Sequence, residues 1–141
     1  MKIVIGSDHG GFKLKEDIKA HLKRRNISFK DLGAYSQESV DYPDIGKKAA
    51  KAVASKKYKF GILVCGTGLG MSMVANKVKG IRAALCHNVY TAKMSRAHND
   101  ANVLSLGGRV LKKAPALKIV EAFLKTPFEG GRHLRRVRKI G

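Results

Sequence analysis

The 141-residue chain has no tryptophan, three prolines, two cysteines and only ten acidic residues. Each scarcity removes a class of protein. Cys65 and Cys86 lack the close spacing of a zinc cluster or a small disulfide framework, so no metal site is expected and a reducing compartment is the simplest setting. No apolar run approaches the roughly 20 residues of a membrane span. The opening Met1-Lys2 passes directly into Ile3-Val4-Ile5-Gly6 and Asp8, too short a run for a signal-peptide core, and the expected location is cytoplasmic. The shortage of acids leaves 29 Lys and Arg and a net charge of +19, a field that draws anionic partners. The shortage of rings counts against one of them. With 6% aromatic residues and no RNA-binding signature, the chain lacks a base-stacking platform, so specific nucleic-acid binding is disfavoured and only nonspecific attraction stays open.

What is present is a regular alternation of short apolar runs and amphipathic stretches. Strands are expected at Lys2–Gly6, Ser28–Gly33, Phe60–Cys65, Ile81–Cys86 and Val103–Leu106. Helices are expected at Phe12–Arg25, Asp44–Lys57, Leu69–Lys77, Tyr90–His98 and Ala114–Leu124. A last helix, Arg132–Ile140, stands apart beyond a Pro- and Gly-containing turn and reads as an appendage. This is an α/β pattern, a parallel sheet with crossover helices, and no repeat or linker divides residues 1–141 into more than one domain.

In such a sheet, ligands gather outside the carboxyl ends of the strands. Four clusters fall there: Gly6-Ser7-Asp8-His9-Gly10-Gly11, Cys65-Gly66-Thr67-Gly68-Leu69-Gly70, Arg96-Ala97-His98-Asn99-Asp100 and Gly107-Gly108-Arg109. A cysteine at a strand end is usually an inert core residue, but three glycines in five residues let backbone N–H groups converge on one point beside a helix N-terminus. That environment holds an oxyanion and favours a thiolate. The loop is not a dinucleotide fingerprint, because Met71 stands where G-x-G-x-x-G requires glycine and no acid lies about twenty residues on; nor does a Walker Gly-Lys-Ser/Thr follow. His98 taken alone reads as a helix-end residue, and Asp8 as a cap for the helix near Phe12. Arg132 and Arg136, four apart, share a helical face that suits one phosphate, against the plainer reading of a solvated basic helix. His21 and His133 read as surface residues and Cys86 as a small core residue. A thiol base, an oxyanion loop, an imidazole and paired arginines together fit proton abstraction beside a carbonyl, as in aldose–ketose conversion of a sugar phosphate through a cis-enediolate.

Gly6-Ser7-Asp8-His9-Gly10-Gly11-Phe12, Asp41-Tyr42-Pro43, the Cys65–Gly70 loop, Ala75-Asn76-Lys77, Gly80-Ile81-Arg82-Ala83, Ser95–Leu104 and Glu129-Gly130-Gly131-Arg132-His133 resemble, in order and along the whole chain, the type B ribose-5-phosphate isomerases. The resemblance implies a Rossmann-like three-layer α/β/α sandwich, with a five-stranded parallel sheet and an extra C-terminal helix, assembled as a homodimer or a dimer of dimers. It implies interconversion of ribose 5-phosphate and ribulose 5-phosphate without a cofactor. Cys65 matches the base, assisted by Thr67; Gly66, Gly68, Gly70 and Ser72 match the anion hole; His98, near Asp8, matches the group that opens the furanose ring. Asn99 matches a sugar contact and Tyr42 a pocket wall. His9, Arg109, Arg132 and Arg136 match phosphate-binding positions, some reached across a subunit boundary. Some members replace the cysteine by a glutamate, but Met71-Ser72-Met73-Val74 carries no charge, which places this chain with the cysteine type. The intact Asp-His and His-Asn-Asp signatures favour a pentose over galactose 6-phosphate. Allose 6-phosphate stays open as a hexose alternative, and an inactive sugar-phosphate-binding relative is disfavoured by the presence of both Cys65 and His98. The high positive charge is the main departure from the family pattern.

Overall fold

A computed structural model describes residues 1–141. Its sheet is parallel throughout and runs in the order β2-β1-β3-β5-β4, with β1 at Lys2–Ser7, β2 at Ser28–Asp31, β3 at Phe60–Cys65, β4 at Ala83–Leu85 and β5 at Val103–Gly107. The helices are α1 (Phe12–Arg24), α2 (Tyr42–Ala54), α3 (Leu69–Asn76), α4 (Val89–Ala97), α5 (Lys113–Lys125) and α6 (Arg132–Ile140). The central strands read as unbroken apolar runs because helices cover both sheet faces. Ile3, Ile5, Phe60, Ile62 and Val64 face one core with residues of α1, α4 and α5. Val4, Leu63 and Cys65 face the other with residues of α2 and α3. This is the expected α/β/α sandwich, and none of its helices is long and apolar enough to cross a membrane.

Several boundaries differ from expectation for local reasons. The regular part of β2 ends at Asp31, yet the chain goes on pairing with β1 as far as the expected Gly33, Leu32 N–H donating to Ile5 O at 2.8 Å and Ser7 N–H to Gly33 O at 2.7 Å; here the Asp31 carboxylate accepts from Gly33 N–H at 2.9 Å and from the Nζ of Lys15 and Lys19, each at 2.8 Å. Burial pushes the Asp31 carboxyl up, but these bonds hold it below its ordinary range. Lys15 itself is wholly buried and also donates to the Ala34 carbonyl, so one ammonium pins the loop leading toward Tyr42. β4 is only three residues long, its entry clamped by Asn76, which donates to Ala83 O and accepts from Ala83 N. α2 starts two residues early, at Tyr42, because Pro43 is preset for a first helical turn.

The strand order reverses beside β1: β2 lies on one side and β3, reached through α2, on the other. The carboxyl ends of β1 and β3 therefore open a crevice between diverging connections, where open α/β sheets take their ligands.

Candidate active site

Asp8 and Cys65 stand at the two lips of that crevice. Asp8 is buried; its backbone N–H reaches across to Val64 O at 3.2 Å, and its carboxylate accepts from Gly11 N–H at 3.1 Å. That bond caps the short helical turn His9–Gly11, one turn ahead of the helix expected from the sequence; α1 itself follows Gly11 without a side-chain cap. Across the crevice, Cys65 Sγ accepts from Gly68 N–H at 3.2 Å. Gly68 has φ of 82°, and a Cβ there would lie 2.5 Å from Leu85 Cδ1 and 2.9 Å from the Leu106 carbonyl carbon. Only glycine lets the loop fold back onto the thiol. Ser105 holds the turn from beneath, its buried hydroxyl donating to Gly68 O at 2.6 Å; nothing in the sequence singled it out.

The N–H groups of Gly66 and Thr67 donate to no acceptor in the chain, although neighbouring loop amides are used internally. They supply two free donors beside the sulfur, at the N-terminal end of α3. A cavity of about 310 Å³ opens over them, lined by Asp8, Tyr42, Cys65, Gly66, Thr67, Gly70 and Arg109. Tyr42 packs its ring against Gly70, where a Cβ would come within 2.5 Å of Cε1. Arg109 N–H donates to Gly66 O at 2.9 Å, and its guanidinium lies over the bare Gly66 backbone.

Seven of the expected residues thus converge on one cavity. Others do not line it. Gly68 shapes the loop from behind. Ser72 sits within α3 and donates its hydroxyl to Leu69 O at 2.7 Å. His9 accepts from Val40 N–H at 3.3 Å through Nδ1. His98, Asn99, Arg132 and Arg136 form a second group at the end of α4 and on α6.

That second group corrects one expectation. His133 is not a surface residue: it is 6% exposed and stacks on His98, with ring centroids 4.1 Å apart and planes 9° from parallel. Nor is His21 free, since its Nε2 meets Glu121 at 2.7 Å. Glu129 lies 3.8 Å from His98 Nε2 and 3.5 Å from His133 Nε2, and its N–H donates to Ala97 O, which ties the turn before α6 to the end of α4. The three side chains bring ligating atoms within 4.8 Å of one another. Parallel rings point their lone pairs into separate planes, however, so an ion in the plane of one imidazole lies off the plane of the other, and the stack does not offer both histidines to one metal. Partial desolvation, then the charges of His98, Arg132 and Arg136, hold the His133 pKa below its ordinary value. Arg132 and Arg136 lie on an exposed face of α6 next to the one that buries His133 and Val137.

Comparison with known proteins bears on this arrangement directly. The family model described as Ribose/Galactose Isomerase matches residues 3–140. The chain belongs to that family. Among its ribose/galactose isomerase relatives, ribose-5-phosphate isomerase B of Escherichia coli (strain K12) is 49% identical over 139 residues, covering 99% of this chain and 93% of that protein. A solved structure of Clostridium thermocellum ribose-5-phosphate isomerase B superposes with a TM-score of 0.99 at 58% identity, over 100% of this chain and 95% of that one. Another, from Mycoplasma genitalium, holds bound ribulose 5-phosphate; it has a TM-score of 0.94 and 47% identity, covering 99% of this chain and 93% of that one.

Proposed function

We propose that this chain interconverts ribose 5-phosphate and ribulose 5-phosphate through a cis-enediolate. The observation that carries the reading is the thiol of Cys65 set beside two unpaired backbone donors at the mouth of a polar cavity. With the sugar ring open, the Cys65 thiolate takes the proton from C2. The electron pair of that C–H bond forms the C1–C2 double bond, and the carbonyl pair moves onto O1. The N–H groups of Gly66 and Thr67 stabilise the oxygen that becomes negative, a role that costs no reorganisation because both already point free. A proton passes between the two enediol oxygens, and the thiol returns its proton to C1, leaving the ketone at C2. Thr67 assists beside the base. Asp8, at the opposite lip, exchanges protons with the ring oxygen and hydroxyl during ring opening, working with His98. Atoms and electrons balance within substrate and side chains alone.

The cavity of one chain holds Arg109 but lacks His98, Asn99, Arg132 and Arg136. The reading therefore includes a homodimer, alone or paired into a tetramer, in which a second copy lends its α4 end and α6 to close the site over the sugar and its phosphate. Tyr42, 38% exposed, lines the cavity, and Leu69 and Met73, exposed by 49% and 65%, leave apolar surface on α3, the helix that follows its loop; both suit such a cover. His9 and Ser72 act on this view from the rim, on the phosphate and through the loop respectively. Residues 1–141 act as one catalytic domain. Two free cysteines suit a reducing compartment such as the cytoplasm.

A coupled assay offering ribose 5-phosphate, allose 6-phosphate and galactose 6-phosphate side by side tests the substrate. The pentose is expected to give the highest kcat/KM; preference for a hexose phosphate would reassign the substrate while keeping the chemistry. The shared site is tested by reassortment. Cys65→Ala protein mixed with an Arg132→Ala/Arg136→Ala variant is expected to recover about a quarter of wild-type activity, because half the random dimers hold one intact composite site. No recovery after verified subunit exchange would place the arginines in the same chain as the cysteine.

A further inference from the structure

The opposite end of the sheet holds a larger cavity that the isomerase reading does not use. It has a volume of about 430 Å³, within the range of small-ligand pockets. Lys2 opens β1, Phe60 opens β3, and Arg82 and Asn102 immediately precede β4 and β5, so the cavity sits across the amino ends of four strands. The six residues of β3 separate it from Cys65 by roughly 16 Å. Amino ends of parallel strands ordinarily carry packing turns, and nothing in an isomerase with its chemistry at the carboxyl ends calls for concentrated charge there.

The charge is lopsided. Lys2, Lys56, Lys57, Lys59, Arg82 and Arg96 line the cavity, and Asp100 is its one carboxylate. Asp100 is already shared, 3.3 Å from the Arg82 guanidinium and 3.1 Å from that of Arg96. None of the four lysines has an acidic partner; Lys2 and Lys59 instead rest their ammonium groups 5.5 and 5.3 Å from the rings of Tyr58 and Phe60. The turn is fixed, since Lys56 adopts φ of 69° and Lys59 N–H donates to Lys2 O at 2.9 Å, which brings the lysine run over the start of β1. Beneath it, the Arg96 side chain is 8% exposed and stacks on Phe60 at 4.7 Å, and its Nε is buried with no acceptor. Arg96 is held between Phe60 and Phe123 and bonded to Asp100 and Ala101 O, so it gives the floor of the site a fixed positive charge; with four lysines that have no acidic partner around a concave site, the cations outnumber the single carboxylate six to one.

We propose that this cavity binds a compact polyphosphate, the di- or triphosphate chain of a nucleotide or an inorganic polyphosphate, at a site distinct from the one that takes the sugar phosphate. A single phosphate monoester answers fewer of the cations. A nucleic-acid backbone runs along a groove rather than into a pocket of this size, and the chain has few rings to hold bases.

Isothermal titration of the intact protein with tripolyphosphate at physiological ionic strength tests this. One saturable site per chain is expected. Lys57→Glu/Lys59→Glu should weaken it by about tenfold or more, the scale of lost charged hydrogen bonds. Arg109→Ala should leave it within about twofold, since that change touches only the sugar-phosphate cavity. Isomerase turnover of the lysine variant should match wild type. The milder Lys56→Gln/Lys57→Gln protein serves if charge reversal unfolds the chain, and should weaken binding in the same direction. ATP is expected to occupy the same lysine-dependent site; tighter binding than tripolyphosphate identifies a nucleotide source and equal binding an inorganic one, and either supports the proposal. It is overturned by absence of saturable binding, by loss of the site in Arg109→Ala with the lysine variants unaffected, or by equal binding to every variant, the mark of a diffuse field. A single-stranded oligonucleotide that displaces tripolyphosphate with higher affinity also overturns it, in favour of a nucleic-acid surface.

Discussion

Two strands of one sheet deliver the chain's two cysteines, and they end in opposite chemistry. β3 closes on Cys65, which lines a polar cavity and receives a backbone N–H at 3.2 Å. β4 runs directly into Cys86, which is 1% exposed among apolar side chains and whose thiol points toward Ala84 O at 3.8 Å. Burial pushes the Cys86 thiol up, outweighing hydrogen bonds from Ser95 and Thr91 that favour its anion. The residue type is the same; the surroundings differ in two respects. β3 is central and lies at the point where strand order reverses, whereas β4 is an edge strand. The loop after β3 is built of glycines that turn amides toward the sulfur, whereas Asn88 after β4 spends its side chain capping α4, accepting from Thr91 N–H at 2.8 Å. Reactivity here is a property of the loop that follows the strand.

Removing each sulfur in turn puts that contrast at greatest risk. Cys65→Ala is expected to lower kcat by about 10²–10⁴, the worth of a positioned base, with little change in Tm. Cys86→Ala should keep turnover within about twofold and cost about 1 kcal/mol of stability. Steady-state kinetics and urea unfolding of both proteins decide it. A Cys86→Ala enzyme as impaired as Cys65→Ala would erase the distinction.

A pair of glycines sharpens it further. Gly68, before α3, and Gly80, before β4, have similar φ, 82° and 89°. A Cβ at Gly80 meets nothing within 4 Å, whereas at Gly68 it collides with Leu85 and the β5 backbone. Gly80→Ala should cost about 1–2 kcal/mol, the left-handed penalty alone, and spare activity. Gly68→Ala should cost about 3 kcal/mol or more and lower turnover at least about tenfold, because relief of the clash moves the loop off the thiol.

Much of this contrast was legible before folding. The five strands, the six helices and the convergence of Asp8, Cys65, Thr67 and Arg109 follow from apolar runs, glycine spacing and the rule that parallel sheets bind ligands at their carboxyl ends. Three things were not. Lys15 carries the marks of an exposed helical lysine, and only the end of β2 and the loop after it supply the Asp31 carboxylate and the Ala34 carbonyl that let it be buried. Ser105 lies inside an apolar strand, and its bond to Gly68 O spans 37 residues. His133 sits in a run of arginines that reads as solvated, and its burial depends on His98, which α4 brings from far earlier in the chain. Each is a long-range pairing of polar groups, which no local period encodes.

The arginines on α6 should give an intermediate effect. Arg132→Ala and Arg136→Ala are each expected to raise KM for ribose 5-phosphate roughly tenfold to a hundredfold, corresponding to about 1.5–3 kcal/mol for a charge-assisted contact, with a smaller change in kcat. Unchanged KM in both would move the phosphate away from α6 and leave Arg109 as its anchor.

The smallest effect belongs to the histidine stack. The folded-state pKa of His133 is held below its ordinary value of 6.5. Above 6.5 the ring is neutral in both states and has no influence on the pH dependence of stability. As pH falls through 6.5 the unfolded chain takes the proton first, so stability declines until the folded-state value is passed. Glu121 and Asp31 act in the same direction but lower, because their carboxyls are held below ordinary values of 4.5 and 3.8, by His21 and Lys125 and by Lys15 and Lys19 respectively, against the upward push of burial. Urea midpoints measured from neutral pH downward should therefore show a shallow loss beginning near 6.5 and a steeper one in the carboxylate range. In His133→Gln the first loss should flatten while the second persists. An unchanged profile would mean that burying His133 against His98 leaves its proton affinity as it is in the unfolded chain, and that the stack, unlike the two carboxylates, adds nothing to the acid side of the stability curve.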